Sequence, residues 1–457
     1  MKKYSLLLSV LFLFVLAFTS CDDDDVSYSD PIADAGDDQE VYEGEEVTLD
    51  ASSSYDDDDY DISFTWTAPT GISLSSETAA QPTFTAPEVT EDTDYEFTVE
   101  VNNGGLSTEA TVTVTVLQSE IAYVFNYGSW GNGLATIDRY NYETGSVTNK
   151  YFQSQNSDLS LELTSNIQSA VSYNGNFYLM ANESDGVIVL DDQLVQTVDA
   201  VTSDNIVTPR NAAGSGDYLY ISCWGTNPDY SEMAGSYIAI LNLTNNEVEG
   251  TIAVPGGPEG LAVANGNLYA ALNYRDSVAV IDLSDNSVSY IETPAVTSYF
   301  LKDESDNLYV SLVSTYSDYS TSPGLGYINT SSNELEQSYY LDGISSNYSS
   351  IMSANSDFST IYVLASAWVE QEDGSWENQG AIQKFDVASG TFSSFIEGLS
   401  GVNGVKVNPN DDAEIYVFGG SSSSEGGFFD VYNTSGVLQS EFTSGISPYW
   451  TLIPDLD

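Results

Sequence analysis

The sequence predicts an all-β protein, in which a small β-sandwich is followed by a seven-bladed β-propeller closed by the C-terminal strand. A dipeptide of a small or apolar residue and Tyr returns seven times after residue 120, at intervals of about 40 to 55 residues. Repeats of this period are typical of four-stranded propeller blades. Residues 31–117 are instead dense in Thr, Val and Ser, with alternating stretches, and the end of the chain repeats the start of a blade. The seven dipeptides are Ala122-Tyr123, Phe177-Tyr178, Leu219-Tyr220, Leu268-Tyr269, Leu308-Tyr309, Ile361-Tyr362 and Ile415-Tyr416.

The fourth copy shows the pattern of a single blade most clearly. Apolar stretches at residues 260–263, 268–272, 278–283 and 288–291 alternate with turns such as Asn265-Gly266-Asn267. This alternation predicts four antiparallel strands. Other copies carry long connections between the second and third strands, such as Ala367 to Gln379, which we interpret as loops.

The two ends of the repeated region complete each other. The first copy lacks an innermost strand before Tyr123, whereas Ile446 to Ile453 matches the start of a blade. We therefore expect the C-terminal strand to join the first blade and close the ring, because closure pairs two edges that would otherwise be open. The propeller is predicted to span residues 121–457.

Residues 31–117 are predicted to form the β-sandwich, from short alternating strands such as Tyr95 to Val101. Residues 47–54, the acidic loop Asp56 to Asp59 and Phe64-Thr65-Trp66 together resemble the PKD family of immunoglobulin-like domains. That resemblance implies a possible calcium site, for which Asp50, Asp56 and Asp58 are the candidate ligands. In so acidic a chain, carboxylates also fall in loops by chance, and the default role of the domain is a spacer.

The N-terminus predicts an exported protein. Lys2 and Lys3 precede an apolar stretch that is too short to span a membrane, so residues 1–20 are predicted to be a signal peptide. The segment resembles a bacterial lipoprotein signal, which implies lipidation of Cys21. The acidic run Asp22 to Asp25, within a tether of residues 21–30, resembles the export tag of Bacteroidetes surface lipoproteins. The resemblance implies the outer face of the outer membrane; the run is also compatible with a solvated acidic tether.

Composition excludes several classes of function. The chain has 69 acidic and 9 basic residues, a formal net charge of −60, which argues against a nucleic-acid partner. It contains no His, so no imidazole base or histidine metal ligand is available. Cys223 lies in a predicted strand, where we expect a small core residue. The sequence thus favours a protein that is not an enzyme, although a calcium-dependent hydrolase remains formally open.

Function is expected on one face of the propeller, which we call the loop-bearing face. It carries the connections between the second and third strands of each blade and the connections between blades, which include the longest ones. Trp and Tyr side chains in these segments suggest stacking on a ligand; alternatively, they pack loop against loop. The candidates are Trp130, Trp224, Tyr230, Tyr316, Trp368 and Trp450.

A second set of candidates precedes the innermost strands. These positions are polar and varied, as a channel mouth would allow, and we call them the channel ring: Gln168, Arg210, Glu259, Ser298, Tyr348, Asn403 and Tyr449. Arg210 and Arg275 are two of only three arginines in the chain, and both are predicted on the loop-bearing face. Each could bind an anionic ligand group or pair with a neighbouring acid.

The blade pattern, from Pro258-Glu259-Gly260 to Val280-Ile281-Asp282, resembles the YncE-like seven-bladed propellers. With the opening Tyr123 to Gly131, it is similar to a group of Bacteroidetes surface propeller lipoproteins that includes a cobalamin-capturing member. This resemblance implies ligand capture through loops of one face above a TonB-dependent outer-membrane transporter. The sequence leaves three hypotheses: capture of a small nutrient such as cobalamin, adhesion to a protein or glycan, and catalysis.

Overall fold

The computed structural model describes residues 28–89, 91–129, 134–156, 166–226, 228–313, 323–341, 352–370, 373–420 and 425–452. For residues 366–370, 376–381 and 400, it describes the backbone and not the side chains. The chain divides into two compact units between Ser119 and Glu120. In the described part, no helix is long and apolar enough to cross a membrane.

The first unit is a β-sandwich of short strands. Its larger sheet has the order β1-β6-β5-β3, with β1 parallel to β6, and β2 pairs with β4. Alternate residues of β5 and β6 point inward, and Phe97, Val99 and Val114 are fully buried against Trp66. The strands are β1 (Gln39–Tyr42), β2 (Glu46–Thr48), β3 (Ser63–Thr67), β4 (Thr83–Thr85), β5 (Thr93–Asn102) and β6 (Ser107–Leu117).

The second unit is a β-propeller, whose described residues form seven four-stranded sheets. Each sheet is one blade, and its strands pair antiparallel in chain order. The first three blades contain β7 (Ile121–Asn126), β8 (Thr136–Asn141), β9 (Ser146–Thr148), a short helix α1 (Tyr151–Gln155), β10 (Ile167–Tyr173), β11 (Asn176–Ala181), β12 (Gly186–Leu190), β13 (Val201–Thr202), β14 (Pro209–Ser215), β15 (Tyr218–Cys223), β16 (Tyr237–Asn242) and β17 (Glu247–Ala253).

The remaining blades follow the same order, and the last strand returns to the first blade. They contain β18 (Pro258–Ala264), β19 (Asn267–Leu272), β20 (Ser277–Asp282), β21 (Val288–Glu292), β22 (Val296–Lys302), β23 (Leu308–Val313), β24 (Gly324–Asn329), β25 (Glu334–Tyr340), β26 (Met352–Ala354), β27 (Thr360–Glu370), β28 (Trp376–Asp386), β29 (Thr391–Ser400), β30 (Val402–Val407), β31 (Glu414–Gly419), β32 (Phe428–Asn433), β33 (Leu438–Thr443) and β34 (Pro448–Leu452).

The predicted ring closure is confirmed. Strand β34 pairs antiparallel with β7, with Pro448 opposite Asn126 and Thr451 opposite Val124. The first blade therefore has the strand order β34-β7-β8-β9, in which the C-terminal strand is innermost.

The seven recurrent tyrosines are core residues that lie between blades. None is more than 6% exposed. Burial raises the pKa of Tyr309 and Tyr362 to about 12. Cys223 is buried in the same way, as expected, and burial raises the pKa of its thiol to about 12. The dipeptide that recurs in the sequence thus marks the tyrosine that packs between neighbouring blades.

One expectation about a connection is wrong. The segment from Ala367 to Gln379 is not a loop, because β27 and β28 continue through it as a long β-hairpin in which Trp368 pairs with Asn378. The connection lies between the paired residues Glu370 and Trp376. In it, Gly374 has φ +81 and Asp373 accepts a hydrogen bond from the Ser375 backbone N–H. Each of the two strands is 11 residues long, so the hairpin extends beyond the sheet edge seen in other blades.

Candidate functional site

Every described member of the channel ring lies in a β-bulge of an innermost strand. At each of these positions, the pairing register between the innermost strand and the second strand shifts. The residue three places after each ring position pairs with the recurrent tyrosine of the same blade. A bulge re-aims a side chain and is often placed next to a functional site. The six residues are Gln168, Arg210, Glu259, Ser298, Asn403 and Tyr449. Tyr348, the seventh, lies outside the described residues.

Arg210 and Glu259 form a bidentate ion pair across neighbouring blades. Arg210 Nε donates to Glu259 Oε2 at 2.8 Å and Nη2 to Oε1 at 2.9 Å, while Nη1 donates to Gln168 Oε1 at 2.9 Å. Burial, which would lower the pKa of Arg210, is outweighed by the charge and hydrogen bonds of Glu259, which raise it. All three guanidinium nitrogens are therefore engaged. Of the two roles that the sequence left open for Arg210, the structure shows pairing with an acid.

Trp224 covers this ion pair on the loop-bearing face. The guanidinium carbon of Arg210 lies 4.0 Å from the centre of the indole, whose Nε1–H donates to the Pro258 carbonyl at 3.1 Å. Trp224 is 8% exposed. Its face is thus used by the fold, and only its edges are available to further aromatic residues.

Two tyrosines meet those edges, and with Trp224 they form what we call the aromatic cluster. Tyr274 and Tyr230 approach Trp224 edge to face, with ring centroids at 5.6 Å and 6.3 Å. Tyr230 is 57% exposed. Sequence reasoning missed Tyr274, although its place beside Arg275 in the connection between β19 and β20 could have indicated it.

The loop that presents Tyr230 is held by Asp229. Its Oδ1 accepts hydrogen bonds from the backbone N–H groups of Ser231 at 2.9 Å and Met233 at 2.7 Å. These backbone hydrogen bonds, that of Ser231 first, lower the pKa of Asp229 to about 2. The carboxylate is therefore ionised at any physiological pH, and the exposed tyrosine stands on an ordered turn.

Arg275 is the more available of the two arginines. Its guanidinium carbon lies 3.9 Å from the centre of the Tyr290 ring, and Nη2 is 3.7 Å from Glu292 Oε1. The Arg275 and Glu292 side chains are 42% and 77% exposed, so the pair is loose and solvated. Arg275 follows Tyr274 of the aromatic cluster in the chain, while its guanidinium contacts Tyr290 and Glu292 of β21.

A cavity of about 230 Å³ lies in the propeller channel, and we call it the channel cavity. Gln168, Tyr449 and Trp450 line it as candidates from the sequence, whereas Lys406 and Tyr299 were missed. Asn403 is half-buried at its bulge and is not part of the wall. The other residues that line the channel cavity are Ser169, Ala170, Val171, Asn211, Gly260, Leu261, Phe300, Leu301 and Met352.

Lys406 is the charged group of this cavity. Its Nζ lies 4.7 Å from the centre of the Trp450 ring. Burial lowers its pKa to about 8, and burial also raises the pKa values of Tyr299 and Tyr449. At neutral pH the amine is mostly protonated and the two phenols are neutral, so the cavity offers hydrogen-bond donors beside a positive charge.

The remaining candidates on the loop-bearing face are not tested by the geometry. Trp130 and Tyr316 lie outside the described residues, and Trp368 is described only as backbone in the β27–β28 hairpin. Cys21 also lies outside the described residues.

The predicted calcium ligands are not brought together. Asp50 accepts hydrogen bonds from Ser52 N–H and Gln81, Asp58 from Ser29, and Asp56 from Asn103 Nδ2 at 2.7 Å. The hydrogen bond from Asn103 is the main reason why the pKa of Asp56 is lowered. Within the described residues, no three acidic or Cys side chains converge as a metal site would require. Asp56 instead accepts hydrogen bonds from the backbone N–H groups of Asp58 and Tyr60.

Comparison with known proteins assigns both units. Residues 35–116 match a family described as a PKD domain, and residues 121–432 match a family described as a domain of unknown function, DUF5074. Chitinase A of Pseudoalteromonas piscicida is 41% identical over 76 residues, which cover 17% of this chain and 9% of that protein. The chain therefore spans only a small part of this curated relative.

Two solved structures are similar to this chain, and the first of them supports the fold. A quinoprotein alcohol dehydrogenase-like protein from Bacteroides thetaiotaomicron superposes with a TM-score of 0.55 at 15% identity, over 92% of this chain and 97% of that one. Hydrazine synthase from Kuenenia stuttgartiensis gives a TM-score of 0.48 at 14% identity, over 60% of this chain and 85% of that one. Because the DUF5074 match covers more than half of the sequence, the chain belongs to the DUF5074 family, and it carries a PKD-like domain before its propeller.

Proposed function

We propose that the propeller binds a ligand on its loop-bearing face and that it captures this ligand without catalysis. The observation that carries the proposal is the aromatic cluster, in which exposed Tyr230 packs against Trp224. The half-exposed Arg275 follows Tyr274 of the cluster in the chain. Such a surface combines large rigid aromatic area with a cation, which suits an amphipathic ligand that bears polar or anionic groups.

The cluster is pre-organised by the fold. The buried ion pair of Arg210 and Glu259 fixes the indole from below, and Asp229 fixes the turn of Tyr230. A rigid binding surface loses less side-chain entropy when the ligand arrives, so more of the contact energy contributes to affinity.

The geometry also bears on the size of the ligand. A corrinoid is far larger than a channel cavity of about 230 Å³, and pockets that enclose even a drug-sized ligand measure roughly 300–1,000 Å³. A cobalamin-like nutrient would therefore lie on the loop-bearing face and not inside the channel.

The cellular setting is part of the same proposal. The signal-like residues 1–20 and the acidic run after Cys21 support a lipoprotein anchored in the outer membrane and exposed at the surface, where captured nutrient would pass to a TonB-dependent transporter. A Cys21→Ala variant would then leave the membrane fraction, which fractionation of the producing cells would measure.

Adhesion through a glycan or a protein is the second candidate. It is favoured by the 57% exposure of Tyr230, since an open tyrosine can stack on a sugar ring, and by the PKD-like domain before the propeller.

Isothermal titration of cyanocobalamin into the soluble chain from Val26 onward distinguishes nutrient capture from adhesion. Saturable one-to-one heat supports nutrient capture. No heat at high protein concentration removes cobalamin, and binding on a glycan array would then favour the adhesion role.

A further inference from the structure

The channel cavity contains hydrogen-bond donors that the fold does not use. Ser169, 6% exposed, lines the cavity, and its Oγ has no hydrogen-bond partner among the described residues. Tyr449 also lines the cavity, and its hydroxyl is likewise unpartnered within the described chain. Buried hydroxyls are almost always hydrogen-bonded, so two unpartnered ones at one cavity indicate a group that the protein itself does not provide.

The same cavity holds a cation without a counter-ion. No carboxylate of the described residues forms an ion pair with Lys406, although the chain has 69 acidic residues. Burial is the sole cause of the change in its pKa, which is lowered to about 8. Glu259 is the acidic member of the channel ring, and both of its oxygens are bound to Arg210. The Lys406 side chain is half-buried in β30, and a charge partly withdrawn from water in this way is normally paired. The pairing group is therefore expected to come from outside the chain.

The walls define the body of that group. Val171, Leu261, Leu301, Phe300 and Trp450 make most of the surface apolar or aromatic. A volume of about 230 Å³ equals the liquid volume of roughly eight water molecules. The space thus suits a small organic molecule and excludes a nucleotide or an oligosaccharide.

We propose that the channel cavity binds a small organic carboxylate with an aromatic or branched apolar body. Lys406 provides the counter-ion, and the hydroxyls of Ser169 and Tyr449 donate hydrogen bonds to the carboxylate oxygens. This is a second site, which is lined in part by the channel ring and by no residue of the aromatic cluster.

Ligand-observed NMR with benzoate and isobutyrate as probes tests the site, with benzamide as the neutral counterpart of benzoate. Titrations at about 0.15 M salt screen the long-range repulsion of the acidic chain over a Debye length of about 8 Å. The expected result is saturable binding of at least one carboxylate, with benzamide bound at least tenfold more weakly than benzoate.

Two variants locate the binding. Lys406→Met retains length and removes the charge, and it is expected to weaken carboxylate binding at least tenfold; Ser169→Ala is expected to weaken it several-fold. Lys302→Met is the matched control, because Lys302 is a half-exposed lysine at the end of another innermost strand and pairs with Asp306. Circular dichroism confirms that each variant is folded.

Three outcomes overturn the proposal: neither carboxylate binds, benzoate and benzamide bind equally, or Lys406→Met binds as the parent does. Whether the channel cavity binds a carboxylate does not depend on whether the loop-bearing face binds the proposed nutrient. Cyanocobalamin would bind through the loop-bearing face and benzoate through Lys406, so either can fail while the other succeeds.

Discussion

At the scale of single residues, the pair of Arg210 and Glu259 organises the loop-bearing face. Their side chains are only 12% and 3% exposed. A buried charge without a partner strongly destabilises the folded state, so each residue of the pair offsets the cost of burying the other. Because Arg210 also supports the indole of Trp224, loss of the pair would disturb the aromatic cluster as well as the channel ring.

Replacing Arg210 with Met would leave Glu259 buried and unpaired. We expect the free energy of unfolding to fall by about 3 kcal/mol, measured as the urea midpoint of the propeller transition. Arg275→Met is the control, since its exposed pair with Glu292 should contribute no more than about 0.5 kcal/mol. Equal decreases in the free energy of unfolding of the two variants would show that the buried ion pair contributes no more to stability than the exposed one.

Asp430 predicts a dependence of stability on pH. It is 8% exposed and lies directly opposite Glu441, and burial first and Glu441 second raise its pKa to about 6 from 3.8. A raised pKa means that the folded state holds the proton more tightly, so this stabilising contribution is complete below about pH 3.8 and is lost as the pH rises through about 6.

Asp430→Asn should therefore stabilise the propeller at pH 8, by on the order of 2 kcal/mol, and have little effect near pH 4. Thermal unfolding at both pH values measures the difference, with exposed Asp204→Asn as the reference. A gain of the same size at pH 4 and pH 8 would refute the assignment to this carboxyl group.

At the scale of elements, the innermost strands approach one another closely at two glycines. A Cβ on Gly404 would lie 2.0 Å from the Tyr449 carbonyl oxygen, and one on Gly260 would lie 2.5 Å from that of Ser298. Both glycines follow a residue of the channel ring, and both contacts are made to the ring residue of the next blade. These positions therefore set the spacing of the ring.

Gly404→Ala should force β30 and β34 apart, and we expect it to destabilise the propeller by about 2–3 kcal/mol. The midpoint of denaturant unfolding, followed by Trp fluorescence, reports the change. Gly250→Ala is the control, because a Cβ there meets nothing within 4 Å. If both substitutions are tolerated alike, close packing of the inner strands is not what fixes the ring.

Strands were easier to predict than contacts between them. The blades follow from alternation and turn residues, and the register of the channel ring follows from the repeated position before each inner strand. The pairing of Arg210 with Glu259 joins residues 49 apart on two blades and depends on the bulges, which a single sequence does not reveal. Lys406 was not among the sequence candidates, since its place in the channel cavity depends on the approach of Trp450 from β34.

The extended β27–β28 hairpin was missed for a different reason. Its residues are polar and aromatic, as in a loop, and only the Asp373-Gly374 turn indicated that the strands continue. In the acidic loop of the sandwich, the sequence did not indicate that Asn103 and the Asp58 backbone N–H donate hydrogen bonds to Asp56.

At the scale of the whole molecule, a closed ring of seven blades makes a rigid support for variable connections. Closure by β34 places the last strand of the propeller in the same sheet as its first three, with β34 as the innermost strand at the channel. The net charge of −60 keeps such a protein soluble and works against anionic partners, unless a local cation such as Arg275 or Lys406 receives them.

The most direct test of the central claim, that the loop-bearing face binds the ligand, is a calorimetric titration of cyanocobalamin into the parent chain, Tyr230→Ala and Tyr55→Ala. Tyr55 is an exposed tyrosine of the sandwich and serves as the matched control. The account predicts saturable heat from the parent and from Tyr55→Ala, and at least tenfold weaker binding by Tyr230→Ala. Equal binding by all three proteins, or heat from none of them, would contradict it.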